Sequence, residues 1–198
     1  MANDEHHPQN AMSTEARSSV EEQARNDGTS DWTSLLARAL TVRESWDHAA
    51  AELEESDAPS GPNDGPWSAW HVLNHVGGLA ARAGEHLQAM TANGAVRQIS
   101  PKEHWLGDEK SFAAVRSGAI SGWDEFIGAI TAATIAQAQE GSATHPAFGS
   151  FNPREFVALT LWHVGDHARQ LRELRGLSEG ENPGDSAGDL GRRRQTAH

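Results

Sequence analysis

Between Asp31 and Gly176 apolar residues recur every three or four positions in four stretches, the period of a helix with one buried face. The first stretch opens at Asp31, a good N-cap, and runs through Leu35, Leu36, Ala39, Leu40, Trp46, Ala50 and Leu53 until APSGPNDGP interrupts it. The second opens at Ser68 and carries Val72, Leu73, Val76, Leu79, Ala80, Ala83, Leu87 and Met90 before Gly94. The third extends from about Asp108 to Glu140, where Gly118 and Gly122 predict a kink or break. The fourth follows Asn152-Pro153, a cap and then a proline at the first helical position, and ends at Gly176. No stretch alternates in the β-branched manner of a sheet, so the expected fold class is all-α, a four-helix bundle.

The polar, aperiodic residues 1–30 and the Gly, Ser, Asp and Arg-rich residues 177–198 are expected to be disordered tails flanking one domain at 31–176. A formal charge of -12 opposes both a nucleic-acid backbone and an anionic membrane surface as partners. The chain has no cysteine, which excludes disulfides, thiolate ligands and a protein thiol nucleophile; any sulfur chemistry must use the substrate's sulfur. Without a long apolar run or the charged-then-apolar order of a signal peptide, a soluble cytoplasmic protein is expected.

The candidate chemistry lies in the histidines. His163 and His167 stand four residues apart in line with Phe156, Thr160, Val164, Leu171 and Leu174, so both imidazoles point inward about one turn apart. His75 lies on the shoulder of the second helix's stripe and can look into the same interior. Two readings stay open: core histidines bonded to side chains or carbonyls, or three ligands of one metal ion. His71 falls beside Asn74 and Gly78 and is expected to be partly exposed; His48, His86 and His104 are expected at the surface or an interface. His145 precedes the fourth helix and reads as a loop histidine, while His6, His7 and His198 belong to the tails. Trp32, Trp46 and Trp123 read as core or staple residues, and Trp162 as either helix packing or the wall of a pocket.

The segments PWSAWHVLNHV, HPAFGSFNPREF and LWHVGDHARQL, in that order, resemble the DinB-like (DinB/YfiT-like) superfamily of metal-dependent enzymes over residues 31–176. Trp67, Ser68 and His75 match its first motif; His145, Pro146, Phe148 and Gly149 match its turn; His163, His167 and Gln170 match its last helix. The resemblance implies a bundle of up-down-down-up topology, metal ligands at His75, His163 and His167, and a divalent ion such as zinc or nickel. Asp166 departs from the pattern, since relatives often carry a basic or bulkier residue there.

The family includes thiol-dependent S-transferases and mycothiol-dependent maleylpyruvate isomerases. The resemblance therefore implies a transferase in which the metal activates a low-molecular-weight thiol for attack on an electrophile, both being small-molecule partners. A hydrolase or isomerase on the same site is the alternative, although no Glu falls inside either His-x-x-x-His interval. A third expectation is a non-catalytic metal-binding stress-response module, and a homodimer is possible for any of these.

Overall fold

The structure, a computed structural model, describes residues 13–51, 53, 67–100, 104–107, 111–138 and 140–174. Among these residues there are five helices, α1 (Thr14–Asp27), α2 (Trp32–Ala50), α3 (Ala69–Asn93), α4 (Phe112–Ala136) and α5 (Pro153–Leu174), and three short strands, β1 (Val96–Gln98), β2 (Ser142–His145) and β3 (Gly149–Phe151). The expected caps form. The Asp31 carboxylate accepts from the Ser34 N–H at 2.7 Å, a bond that holds its pKa below the ordinary value. Asn152 Oδ1 accepts from the N–H groups of Arg154 and Glu155, while Glu155 accepts in return from the Asn152 N–H, closing a reciprocal cap at the start of α5. Gly94 ends α3 in the left-handed region at φ 61°.

The topology follows from which residues meet. Gly77 packs on Ala119 and Gly84 on Glu125 and Phe126, so α3 and α4 run parallel. Arg154 reaches the Ser30 carbonyl while Arg172 reaches Ser45, so α2 and α5 run parallel as well. The Trp32 indole donates to the Ala138 carbonyl and Arg43 pairs with Asp124, which sets α2 against α4 in the opposite sense. His75 meets His163 while His86 meets Phe156, so α3 and α5 are also antiparallel. The bundle is up-down-down-up. Two consecutive parallel helices require a connection that returns along the bundle, and β1 and the described residues 104–107 belong to it.

Several expectations are corrected. Residues 14–27, assigned to a disordered tail, form α1: the Ser13 hydroxyl caps it by accepting from the Ala16 N–H, and only Val20 and Ala24 are buried. So few apolar positions show no period, and the helix is held by docking on α5 and β3, where Arg25 meets Glu155 and the Ser150 carbonyl. The long third helix is continuous from Phe112 to Ala136, with no break at its glycines. A Cβ on Gly122 would collide with the Gly77 carbonyl oxygen, and one on Gly118 would come within 2.6 Å of Leu106, so both glycines serve close approach. The strands were not expected either. Each has three or four residues, too few to show alternation; β1 pairs parallel with β2, which pairs antiparallel with β3. The 177–198 segment, Gly176 and the interrupting stretch 58–66 lie outside the described residues.

Candidate metal centre

His75 on α3 and His163 and His167 on α5 converge through their Nε2 atoms. His75 Nε2 lies 3.1 Å from His163 Nε2, which lies 3.0 Å from His167 Nε2, and all three fall within 4.8 Å of one another. His75 is fully buried, His167 nearly so and His163 half-buried. The inward register expected from the apolar stripe is what brings the i, i+4 pair opposite His75.

Protons alone satisfy this arrangement poorly. His167 Nδ1 lies 2.8 Å from Gln170 Oε1, an acceptor, so Nδ1 carries the proton and Nε2 presents a lone pair to the cluster. His163 Nε2 faces two imidazole nitrogens, yet in a neutral ring it can donate one proton or accept one, not both. A cation at the common point satisfies all three lone pairs. Burial also pushes the His167 pKa down, opposed by its bond to Gln170 and by the nearby Asp166 charge, which favours the neutral, ligating form. The donor set, three neutral imidazoles, fits a divalent transition-metal ion.

Aromatic rings close the site on one side. Trp67 stacks on His167 at 5.5 Å with 10° between the planes and meets His75 edge-on at 5.0 Å; Trp105 stands 5.8 Å from His75. Trp105 belongs to the returning connection, and Asn74 fastens that segment to α3. Its amide donates to the Gly107 carbonyl and accepts from the Leu106 N–H, both at 2.7 Å. Gly78 makes the approach feasible, since a Cβ there would lie 2.5 Å from the Trp105 nitrogen.

On the other side the cluster opens, through His163, into a narrow crevice whose mouth is open to solvent. Leu79, Ala83, Ile99, Phe148, Phe156 and Leu159 give it apolar walls, and His86, His104, His145 and Thr160 give it polar points. Three histidine expectations change here. His86 and His104, expected at the surface or an interface, are buried, because β1 and the returning connection cover this face of α3. His71, expected to be partly exposed, is buried as part of the α3 cap: its Nδ1 lies 2.8 Å from the Ser68 hydroxyl and accepts from the Ser68 N–H. His145, read as a loop residue, ends β2 and is buried against Phe148 at 4.7 Å. Asn74, Trp105 and His104 had drawn no functional reading. The signal present for them was an asparagine beside the Gly77-Gly78 pair on a helix otherwise lined by apolar residues. Asp166, the departure from the family pattern, pairs with Arg169 on the half-exposed side of α5.

An up-down-down-up bundle with three converging histidines from two helices defines a helical metal-binding protein. The chain belongs to the DinB superfamily, whose sequence pattern matches residues 38–171. Among solved structures it is similar to YfiT from Bacillus subtilis, described as a probable metal-dependent hydrolase with an unusual four-helix bundle topology. That likeness has 16% identity and a TM-score of 0.48 over 88% of this chain and 95% of the other. No curated protein matches the chain. No helix among the described residues is long and apolar enough to cross a membrane.

Proposed function

We propose that this protein is a metal-dependent transferase that joins a low-molecular-weight thiol to an electrophilic organic molecule, with zinc or nickel held by His75, His163 and His167. The observation that carries the reading is the convergence of three Nε2 atoms beside a mostly apolar crevice, in a chain with no cysteine of its own. A divalent ion bound there supplies a Lewis-acidic position with coordination to spare, at which a thiol loses its proton near neutral pH.

The chain's own residues do the rest. Gln170 keeps the His167 proton on Nδ1, leaving Nε2 to the ion. Trp67 and Trp105 exclude water from one side, and Asn74 holds the segment that carries Trp105. The crevice on the His163 side receives the second substrate and keeps it away from bulk water. Hydrolysis is favoured less, because among the described residues lining the crevice there is no Asp or Glu to serve as a carboxylate base for a water nucleophile.

The test begins with elemental analysis of the untagged protein beside a His163→Ala, His167→Ala variant, followed by thiol consumption measured colorimetrically across paired thiols and electrophiles. The reading expects near one equivalent of metal, lost in the variant, and thiol consumption that follows metal content. Metal-dependent ester or amide cleavage without thiol consumption would replace it by the hydrolase, and the absence of metal under divalent-ion loading would overturn it.

A further inference from the structure

Among the polar side chains lining the crevice beside the three histidines is His145, whose hydrogen-bonding state can be read from its neighbours. The Ala147 N–H donates to His145 Nδ1 at 3.0 Å, so in the neutral ring Nδ1 is the acceptor and Nε2 carries the proton. Among the described residues Nε2 has no hydrogen-bond partner, although His145 is only 6% exposed. The ring is pinned from both ends. Phe148 packs on it at 4.7 Å, and the β2–β3 pairing of His145 with Gly149 fixes the backbone that carries it. Burial pushes its pKa down to about 4, so it is neutral throughout the physiological range.

From this geometry we infer that His145 is a substrate-binding residue: its Nε2–H donates to the carbonyl oxygen of an uncharged organic molecule seated in the crevice. This deepens the transferase reading, on which it rests for the identity of that molecule as the electrophile. The chemistry of the walls limits the choice. Phe148, Phe156, Leu79 and Leu159 favour a small apolar body, and a neutral N–H donor matches an oxygen acceptor without supplying charge for a free carboxylate. A carbonyl compound satisfies both demands. The Thr160 hydroxyl, which also lines the crevice, donates to the Phe156 carbonyl, which commits its proton. His163 belongs both to the metal cluster and to the crevice wall, so a molecule held at His145 lies alongside the site where the thiol would be activated.

The test is binding rather than turnover, on the full-length zinc-loaded protein, with cyclopentanone and methylenecyclopentane as probes of matched shape that differ in the carbonyl oxygen. Imidazole nitrogen resonances followed by NMR during each titration give both affinity and location. A single neutral hydrogen bond predicts about fivefold tighter binding of the ketone, with movement of the His145 Nε2 signal. In His145→Phe, which keeps an aromatic ring but removes the donor, that preference should vanish while the hydrocarbon still binds. Equal affinity of the wild type for the two probes, a ketone preference without movement of the His145 signal, or no saturable binding of either probe would each overturn the inference. The first two need no variant, so a misfolded His145→Phe protein does not decide the matter. Failure of the thiol-transfer reading is separately visible as missing metal or missing thiol consumption.

Discussion

Gln170 Oε1 lies 2.8 Å from His167 Nδ1, and this one bond decides which nitrogen of the ring carries the proton. Both residues are on α5, three positions apart, so the helix itself sets the distance. In Gln170→Leu the ring loses the acceptor that fixes its tautomer, and zinc affinity should fall about 10- to 100-fold. Competition with a chromophoric chelator measures this, with circular dichroism to show that helix content is kept. An unchanged affinity would mean that stacking on Trp67 alone orients the ring.

The metal should stabilise the fold without being required for it. The core extends along the whole bundle, from Trp46, Leu73 and Leu171 toward one end to Leu35, Leu87 and Ile130 toward the other, and the three histidines occupy only one part of it. Zinc at 100 times its dissociation constant should therefore raise wild-type stability by about 2.7 kcal/mol. His163→Ala, His167→Ala should remain folded and show no such gain. Thermal or urea melts with and without zinc check this; a variant that unfolds outright would assign the site a structural role.

The parallel α3–α4 contact rests on glycine. A methyl group at Gly122 meets the Gly77 carbonyl and the Ala81 nitrogen, which are backbone atoms that cannot swing aside. Gly122→Ala should destabilise by about 2–3 kcal/mol, at the upper end for overpacking. Gly128, six residues further along α4, has nothing within 4 Å, so Gly128→Ala should stabilise by about 0.5–1 kcal/mol through helix propensity. Urea unfolding of the two variants gives opposite signs if the helix contact is as described.

These cases show why some features were legible in the chain and others were not. A period is visible when many apolar residues face one core, as in α3 and α5, and the inward register of His163 and His167 follows directly from it. The caps at Asp31, Ser68 and Asn152 were legible because capping is local chemistry. By contrast α1 buries only Val20 and Ala24 and exists through contacts with α5 and β3 more than a hundred residues away. Gly118 and Gly122 carry the same local signal whether a helix breaks or a neighbour comes close; only the tertiary contact decides. His86, His104 and His145 are buried by β1, the returning connection and the β2–β3 hairpin, elements too short to leave a pattern. The up-down-down-up order itself came from the resemblance, because periodicity does not say which helices are parallel.

Acid should act on the fold through His145, and the sign can be worked out. Its pKa is about 4 in the folded protein, where burial disfavours the charged ring, against 6.5 for the ordinary group. Between those values the unfolded chain binds a proton that the folded protein does not, so stability is fully present above about pH 6.5 and falls as pH drops toward 4. At pH 5 the unfolded group is almost wholly protonated and the folded one almost wholly neutral, which amounts to about 2 kcal/mol of lost stability relative to pH 7. His167, also depressed by burial, adds a slope of the same sign, and proton competition for the metal ligands adds another. Comparing wild type with His145→Gln, both metal-free, cancels those contributions. The variant carries no titrating ring at that position, so its urea-derived stability should fall less between pH 7 and pH 5, by about 2 kcal/mol. Equal losses in the two proteins would show that His145 can take up its proton without leaving its place between Phe148 and the turn.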